Sequence, residues 1–337
     1  MNTKKKVAII GLGHQSLEDH LPAVLNSDKV TLIGVADIDN KKILQFKKEH
    51  KGIPVYLDYK KLLRKNPDFV IIALPHYLHF EVTKMTIEMG IHVLKEKPFA
   101  FNLHDAKILF DLARKNKVKI GVTVQRRFNP IYSTFFQLSS KIGKIFFVEG
   151  KYTFFTDCPN TGWRGNKKMA GGGCLIDMGY HMVDLLIWYF GLPDLVFAEL
   201  SSTAKEVRDY DAEDTAQVVY RYNDSDIWGT LTLSRVMPPK QEFLTIFGTK
   251  GYLRIERGKI ERFSINGESQ ETLERKNSWP SAAQDQLECF IKFIEGDKDC
   301  IINAKYHLDH MAFIEAAYTS KKEGLYINPK KLYDYKK

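Results

Sequence analysis

Val7-Ala-Ile-Ile10 followed by Gly11-Leu-Gly13-His-Gln-Ser16 decides how this chain is read. Four apolar residues in a row suit a strand buried on both faces, and the glycines punctuate its end. Residues 17–25 carry helical spacing, so the stretch reads strand, glycine turn, helix. That is the context in which a dinucleotide fingerprint has meaning. Glycine at 11 permits a tight turn. Glycine at 13 lets a pyrophosphate approach the backbone and rest on the helix N-terminus. Ser16 stands where a third glycine would complete the pattern, and alone the motif fits a plain strand–helix turn equally well. Asp37 breaks the tie. It closes the next apolar run, 24 residues past Gly13, where an acidic side chain bonds the adenosine ribose 2′-hydroxyl. Its charge repels a 2′-phosphate, so NAD is expected over NADP, with Lys41 and Lys42 as the opposing charges. Asp39 reads as the N-cap of a helix starting at Asn40.

Working outward, apolar runs at 31–36, 69–74, 92–94 and 120–124 alternate with helical patterns at 41–50, 59–65, 80–89 and 103–116. Strand–helix alternation of this kind means βαβ units and a parallel sheet. Beyond about residue 125 the texture changes. Strands are expected at 144–155, 195–202, 216–222, 227–234, 242–247 and 252–256, with turns at Asn223-Asp224 and 248–251. Alternation in Thr230-Leu-Thr-Leu-Ser234 gives one wet face, hence an antiparallel sheet. An apolar helix over 175–190, stopped by Gly191 and Pro193, interrupts the strands, and helices at 283–295 and 303–322 end the chain. The expected fold is α/β: an N-terminal Rossmann domain with a doubly wound parallel sheet, then an α+β domain with a large, mostly antiparallel open sheet. The boundaries are 1–123 and 124–337, with the C-terminal helices available to pack back on the first domain.

The length of 337 residues agrees with about two domains at roughly 150 residues each. Hydrophobic residues make up 44%, enough for a core that needs no disulfide or metal staple. The net charge is +9; through Thr123 there are 21 basic and 13 acidic residues, so most of the excess lies in the first third. The lysines alternate with apolar residues as solvated helix faces do, and no aromatic-interleaved basic stripe accompanies them. A nucleic-acid partner is therefore not expected; an anionic small molecule fits better. Cys158, Cys174, Cys289 and Cys300 form no C-x-x-C pair and read as reduced thiols of a cytoplasmic protein. No signal peptide and no 18-residue apolar segment is present, so no membrane association is expected.

Two further stretches carry chemistry. Lys95-Glu96-Lys97-Pro98 follows a strand, at the end where open α/β sheets bind ligands. A lysine there suits orienting a hydroxyl or sharing its proton; a solvated loop cluster is the bland alternative. Gly171-Gly-Gly173 precedes Asp177, His181 and Asp184, whose spacing of four and three puts them on one face of a helix. The glycines would leave backbone amides open to a ligand. A carboxylate beside a histidine suits a general base. A metal site lacks further ligands at a recognisable spacing, and none is expected. A structural Asp177–His181 pair, and Asp184 as the partner of nearby backbone or of His181, stay open.

The order of these motifs resembles the glucose–fructose oxidoreductase and inositol dehydrogenase (Gfo/Idh/MocA) family along essentially the whole chain. Pro75-His-Tyr-Leu-His79 is similar to that family's P-x-x-x-H loop, and Gly90-Ile-His-Val-Leu-Lys-Glu-Lys-Pro98 to its G-x-H-V-x-x-E-K-P. Arg127-Phe-Asn-Pro130, Trp163-Arg164 before Gly171-Gly-Gly173, and Glu213-Asp-Thr215 resemble its remaining signatures. Ser16 and one extra residue before His20 depart from it. The resemblance implies a hydride transfer between NAD(P) and a ring hydroxyl or ketone of a sugar, sugar derivative or cyclitol. It implies a cis Pro98 and a homodimer or homotetramer formed through the open sheet. Gly11, Gly13, His14 and Gln15 would hold the pyrophosphate and Asp37 the adenosine ribose. Leu74, Pro75 and His79 would line the nicotinamide side, with Glu96 and Lys97 near its ribose. Lys97, Asp177 and His181 would be catalytic, and Arg127, Trp163 and Arg164 would bind substrate or serve structure. The alternatives are reduction of another carbonyl, of a dihydrodiol or bilin type, and a non-catalytic nucleotide-sensing regulator; the intact Lys97, Asp177 and His181 weigh against the second.

Overall fold

The computed structural model describes residues 4–157, 162–202, 209–275 and 279–333. The chain divides into two compact units, Met1–Gln125 with Ser278–His307, and Arg126–Asn277 with Leu308–Lys337. Cys158 lies outside the described residues.

The first unit is built on a six-stranded parallel sheet of order β3-β2-β1-β4-β5-β6. Its strands are β1 (Lys5–Ile10), β2 (Val30–Ala36), β3 (Val55–Tyr56), β4 (Phe69–Ile72), β5 (His92–Lys95) and β6 (Ile120–Val122). Val7 to Ile10 and Phe69 to Ile72 are buried throughout, as strands covered on both faces by helices must be. The helices are α1 (Leu21–Asn26), α2 (Asn40–Glu49), α3 (Tyr59–Leu63), α4 (His76–Glu88) and α5 (Leu103–Lys115). Asp39, Asp58 and Asn102 cap α2, α3 and α5 with their side chains, so three of these helices start where a capping residue satisfies an orphan amide. Strand order reverses at β1, which is flanked by β2 and β4. In a doubly wound sheet the crevice for a ligand opens at that point.

Near the glycine turn and after β4 the helix starts differ from the sequence reading. Helix α4 begins at His76 because Pro75 opens it, a position where a missing N–H costs nothing. The pattern over 17–25 resolves into a π-helical turn, Ser16–His20, running into α1. A π turn takes up one extra residue within a helix, and the sequence carries one extra residue before His20.

The second unit holds an eight-stranded sheet, β14-β13-β12-β11-β7-β10-β9-β8, with β7–β10 as its parallel pair. The strands are β7 (Ile145–Phe155), β8 (Leu195–Ser201), β9 (Thr215–Tyr222), β10 (Ile227–Ser234), β11 (Val236–Gly248), β12 (Gly251–Glu256), β13 (Lys259–Ser264) and β14 (Ser269–Glu274). Strands β3, β13 and β14 had no clear apolar signal in the sequence. Short helices α6 (Pro130–Ser133), α7 (Phe135–Leu138) and α8 (Lys167–Ala170) precede α9 (Tyr180–Phe190). Helix α9 packs on the inner face of the sheet, where Val148, Leu231, Ile246, Leu253 and Ile260 are fully buried.

The outer face carries a row of rings directly opposite one another across five strands. Trp228, Phe147, Phe247, Tyr252 and Phe263 stand with centroids 4.6, 5.9, 5.4 and 4.5 Å apart in turn. Trp228 is 50% exposed. Of the closing helices, α10 (Trp279–Ile294) belongs to the first unit, where it packs on α1, and α11 (Ala304–Glu323) is the last α-helix among the described residues. No helix among the described residues is long and apolar enough to cross a membrane.

Candidate active site

In the first unit the proposed cofactor residues gather at the C-terminal ends of the strands. Gly11 has φ +98°, and a Cβ there would lie 2.2 Å from the Ala73 carbonyl oxygen, so backbone strain and packing both require glycine. At Gly13 nothing lies within 4 Å of where a Cβ would sit. Open space beside a strand-end turn at the reversal of strand order fits a pyrophosphate. Ser16 Oγ, in the turn that follows, is buried without a hydrogen-bond partner. His14 is exposed and Gln15 half-buried; Gln15 donates to Asp19.

The Asp37 carboxylate stands beside the glycine turn. It accepts from the Leu12 amide at 2.7 Å and from the Asp39 amide at 2.9 Å, with Lys42 Nζ at 3.8 Å. The first bond pins the turn to the end of β2. Lys42 offsets part of the carboxylate charge, which is the physical form of the opposing lysines expected from sequence.

His20 supplies a contact the sequence did not disclose. Its Nε2 lies 2.8 Å from Glu96 Oε1, and the two side chains are 3% and 13% exposed. Burial alone would raise the Glu96 carboxyl; His20, Lys97 and Thr123 outweigh it and bring the pKa below the ordinary value. Asp19, which also accepts from Gln125 at 2.6 Å, moves the other way, raised by burial with the Glu96 charge adding to it. The glycine turn, the π turn and the Glu96 loop thus share one polar network. The Lys97–Pro98 peptide is cis, as the resemblance implied. Lys97, Leu74 and Pro75 are half-buried at the ends of β5 and β4, and His79 is buried on α4.

In the second unit Asp177 and His181 are both half-buried, but they do not share a helix. The expected helix from 175 begins only at Tyr180, and Asp177 lies in the turn before it. That turn follows a tight passage of the glycine triplet, which corrects the expectation of amides open to a ligand. Gly171 ends α8 in the left-handed conformation. A Cβ on Gly172 would lie 1.9 Å from Tyr318 Oη, and one on Gly173 1.9 Å from the Glu213 carbonyl oxygen. Close packing against the Glu213 strand start explains these glycines. Glu213 itself accepts from the Leu175 amide at 3.1 Å and from Tyr318 at 2.9 Å.

Asp177 is held by arginines. Arg235 Nη2 donates to it at 2.6 Å, and Arg164 Nε lies 3.4 Å away while its guanidinium covers the Trp163 ring at 4.4 Å. Arg235 is nearly buried and was not singled out in the sequence, because a lone arginine at a strand junction gives no periodic or motif signal. Arg127 is buried. Its guanidinium pairs with Asp184 at 2.7 Å, and His310 Nε2 approaches the same carboxylate at 2.8 Å. All three side chains are at most 3% exposed. Asp184 is therefore the anchor of a buried cluster with Arg127 and His310.

Comparison with known proteins follows the same division. Residues 5–124 match the oxidoreductase family with an NAD-binding Rossmann fold, and residues 138–254 match the Gfo/Idh/MocA C-terminal domain. The chain is 31% identical over 174 residues to an uncharacterized oxidoreductase of Schizosaccharomyces pombe, across 51% of this chain and about half, 47%, of that protein. It is 24% identical over 337 residues to D-glucoside 3-dehydrogenase of Escherichia coli K12, covering 95% and 96% of the two chains. Among solved structures, the WlbA dehydrogenase of Bordetella pertussis, in complex with NADH and UDP-GlcNAcA, superposes with a TM-score of 0.82. Identity there is 22% over 97% of this chain and 99% of that one, a likeness of fold. With both of its domains matched in order, this chain belongs to the Gfo/Idh/MocA family of NAD-binding oxidoreductases.

Proposed function

We propose that this protein is an NAD-dependent dehydrogenase that oxidises a ring hydroxyl of a sugar, sugar derivative or cyclitol, or reduces the matching ketone. The observation that carries the cofactor reading is the open space at Gly13 beside the Asp37 carboxylate, at the reversal of strand order. Gly11, Gly13, His14 and Gln15 hold the pyrophosphate in this reading, and Asp37 the adenosine ribose. Leu74, Pro75, His79, Glu96 and Lys97 serve the nicotinamide side. Asp37 favours the free 2′-hydroxyl of NAD over the phosphate of NADP. Bound NAD supplies the hydride acceptor.

The chain's own residues manage the proton and the charge. His181 takes the hydroxyl proton as general base, and Lys97 donates to the forming alkoxide. Asp177, its carboxylate fixed by Arg235, orients substrate and imidazole. Trp163 and Arg164 contact substrate, with Arg164 and the nearby Lys167 and Lys168 favouring an anionic one. The D-glucoside 3-dehydrogenase of E. coli and the nucleotide sugar bound to WlbA support a sugar class. The aromatic row on the outer sheet face supports a homodimer or homotetramer, since apolar patches of that kind are uncommon on monomers. A screen for NADH absorbance over sugars, sugar phosphates, nucleotide sugars and cyclitols tests the activity. Turnover of one class confirms it, and a chain that binds neither NADH nor NADPH contradicts it.

A further inference from the structure

Lys95 is the last residue of β5, and its side chain is fully buried in the first unit. A buried amine costs stability unless its N–H groups find acceptors. Nζ donates to the Phe99 carbonyl at 2.5 Å and to the Pro98 carbonyl at 3.3 Å, both just beyond Lys97. The Pro98 carbonyl also faces His79 Nδ1 at 3.3 Å, while His79 Nε2 lies 2.8 Å from the Leu74 carbonyl. A neutral imidazole has one N–H and cannot serve both. Burial, and after it the Lys95 charge, hold His79 well below its ordinary pKa. The neutral ring therefore gives its N–H to the shorter contact with Leu74, and Pro98 is left to Lys95. Three carbonyls from the loops after β4 and β5 then have three donors.

We propose that Lys95 is a positioning residue: its Nζ fixes the loop that presents Glu96 and Lys97, while His79 holds the neighbouring loop that presents Leu74 and Pro75. The inference rests on the reading of those residues as the nicotinamide side of the cofactor site, and it deepens that reading. An apolar side chain of equal length would fill the space and leave the Pro98 and Phe99 carbonyls without these donors.

The test compares the whole chain with Lys95→Met and Lys95→Gln. Amide hydrogen exchange is read by mass spectrometry without nucleotide, and NADH is titrated by calorimetry. In Lys95→Met the peptide over 96–101 should exchange about tenfold faster while peptides from β1 and α5 keep wild-type rates. NADH affinity should fall about tenfold. Lys95→Gln retains an N–H donor and should fall between the two. Unchanged exchange at 96–101 in both variants overturns the proposal, and so does faster exchange spread evenly over the unit. If Lys95→Met fails to fold, Lys95→Gln against wild type decides on the same peptides. A wild-type chain that binds no NADH overturns the proposed function, while the exchange experiment still decides the role of Lys95.

Discussion

Replacing Lys95 by methionine should remove a rise of stability with pH. Burial is the main cause that brings the Lys95 amine from 10.5 down to about 7, with the Glu96 charge acting the other way. Between those values the unfolded chain holds a proton that the folded chain has released. The folded state therefore gains stability as pH rises, by about 1.4 kcal/mol per pH unit. The cost of the buried charge is fully present below pH 7 and gone above 10.5, which sums to roughly 5 kcal/mol across the window. Urea unfolding of wild type and Lys95→Met, followed by circular dichroism at intervals across that window, measures the difference. Surface lysines, tyrosines and thiols titrate in both chains and cancel. The wild type should gain on the variant steadily as pH rises, whatever offset the lost hydrogen bonds impose. Parallel curves would refute the reasoning, because Lys95 would then hold an ordinary pKa in the fold.

Gly13→Ala should leave stability within about 1 kcal/mol, since nothing meets the new methyl, yet weaken NADH binding at least tenfold on calorimetric titration. Gly11→Ala should instead lower the melting temperature, because its methyl meets the Ala73 carbonyl at 2.2 Å in a positive-φ turn. His20→Ala should cost about 3 kcal/mol in urea at neutral pH by removing the nearest of the groups that hold the buried Glu96 carboxylate. Because the Glu96 pKa is lowered in the fold, that deficit should shrink as pH falls below about 4.5. Trp228→Glu should shift the protein toward monomer in sedimentation, and a wild type that sediments as a monomer at micromolar concentration would dismiss the sheet-face assembly.

The parallel sheet was legible because Val7 to Ile10 and Phe69 to Ile72 are apolar at every position, a signature that two-sided burial imposes. The turn after β1 was legible because Gly11 needs a positive φ and a site without a Cβ, and the Asp37 carboxylate at the end of the next strand bonds back to it through the Leu12 amide. Strands β13 and β14 were not. Lys-Ile-Glu-Arg-Phe-Ser, next to the sheet edge, and Ser-Gln-Glu-Thr-Leu-Glu, which forms it, carry polar residues on both faces, so neither alternation nor an apolar run marks them. At the site, the helical spacing of Asp177, His181 and Asp184 suggested one face. The glycine triplet, packed against Glu213 and Tyr318, leads into a turn that keeps Asp177 outside the helix, which begins at Tyr180 and carries His181 and Asp184. Arg235 and His310 bond partners far along the chain, and Lys95 bonds buried carbonyls, contacts that periodicity does not encode. His20 was noticed only as a displaced residue, and its bond to Glu96 needed the π turn to become visible.

The central claim is that His181 draws the proton from a substrate hydroxyl while the first unit holds NAD. NADH formation by wild type and His181→Asn, on the best substrate of the screen, tests it most directly when paired with NADH titration of both. The predicted result is a kcat lowered by roughly a hundredfold or more with NADH affinity nearly unchanged. Near-wild-type turnover by His181→Asn, with activity abolished only in Lys97→Ala, would contradict it and make Lys97 the base.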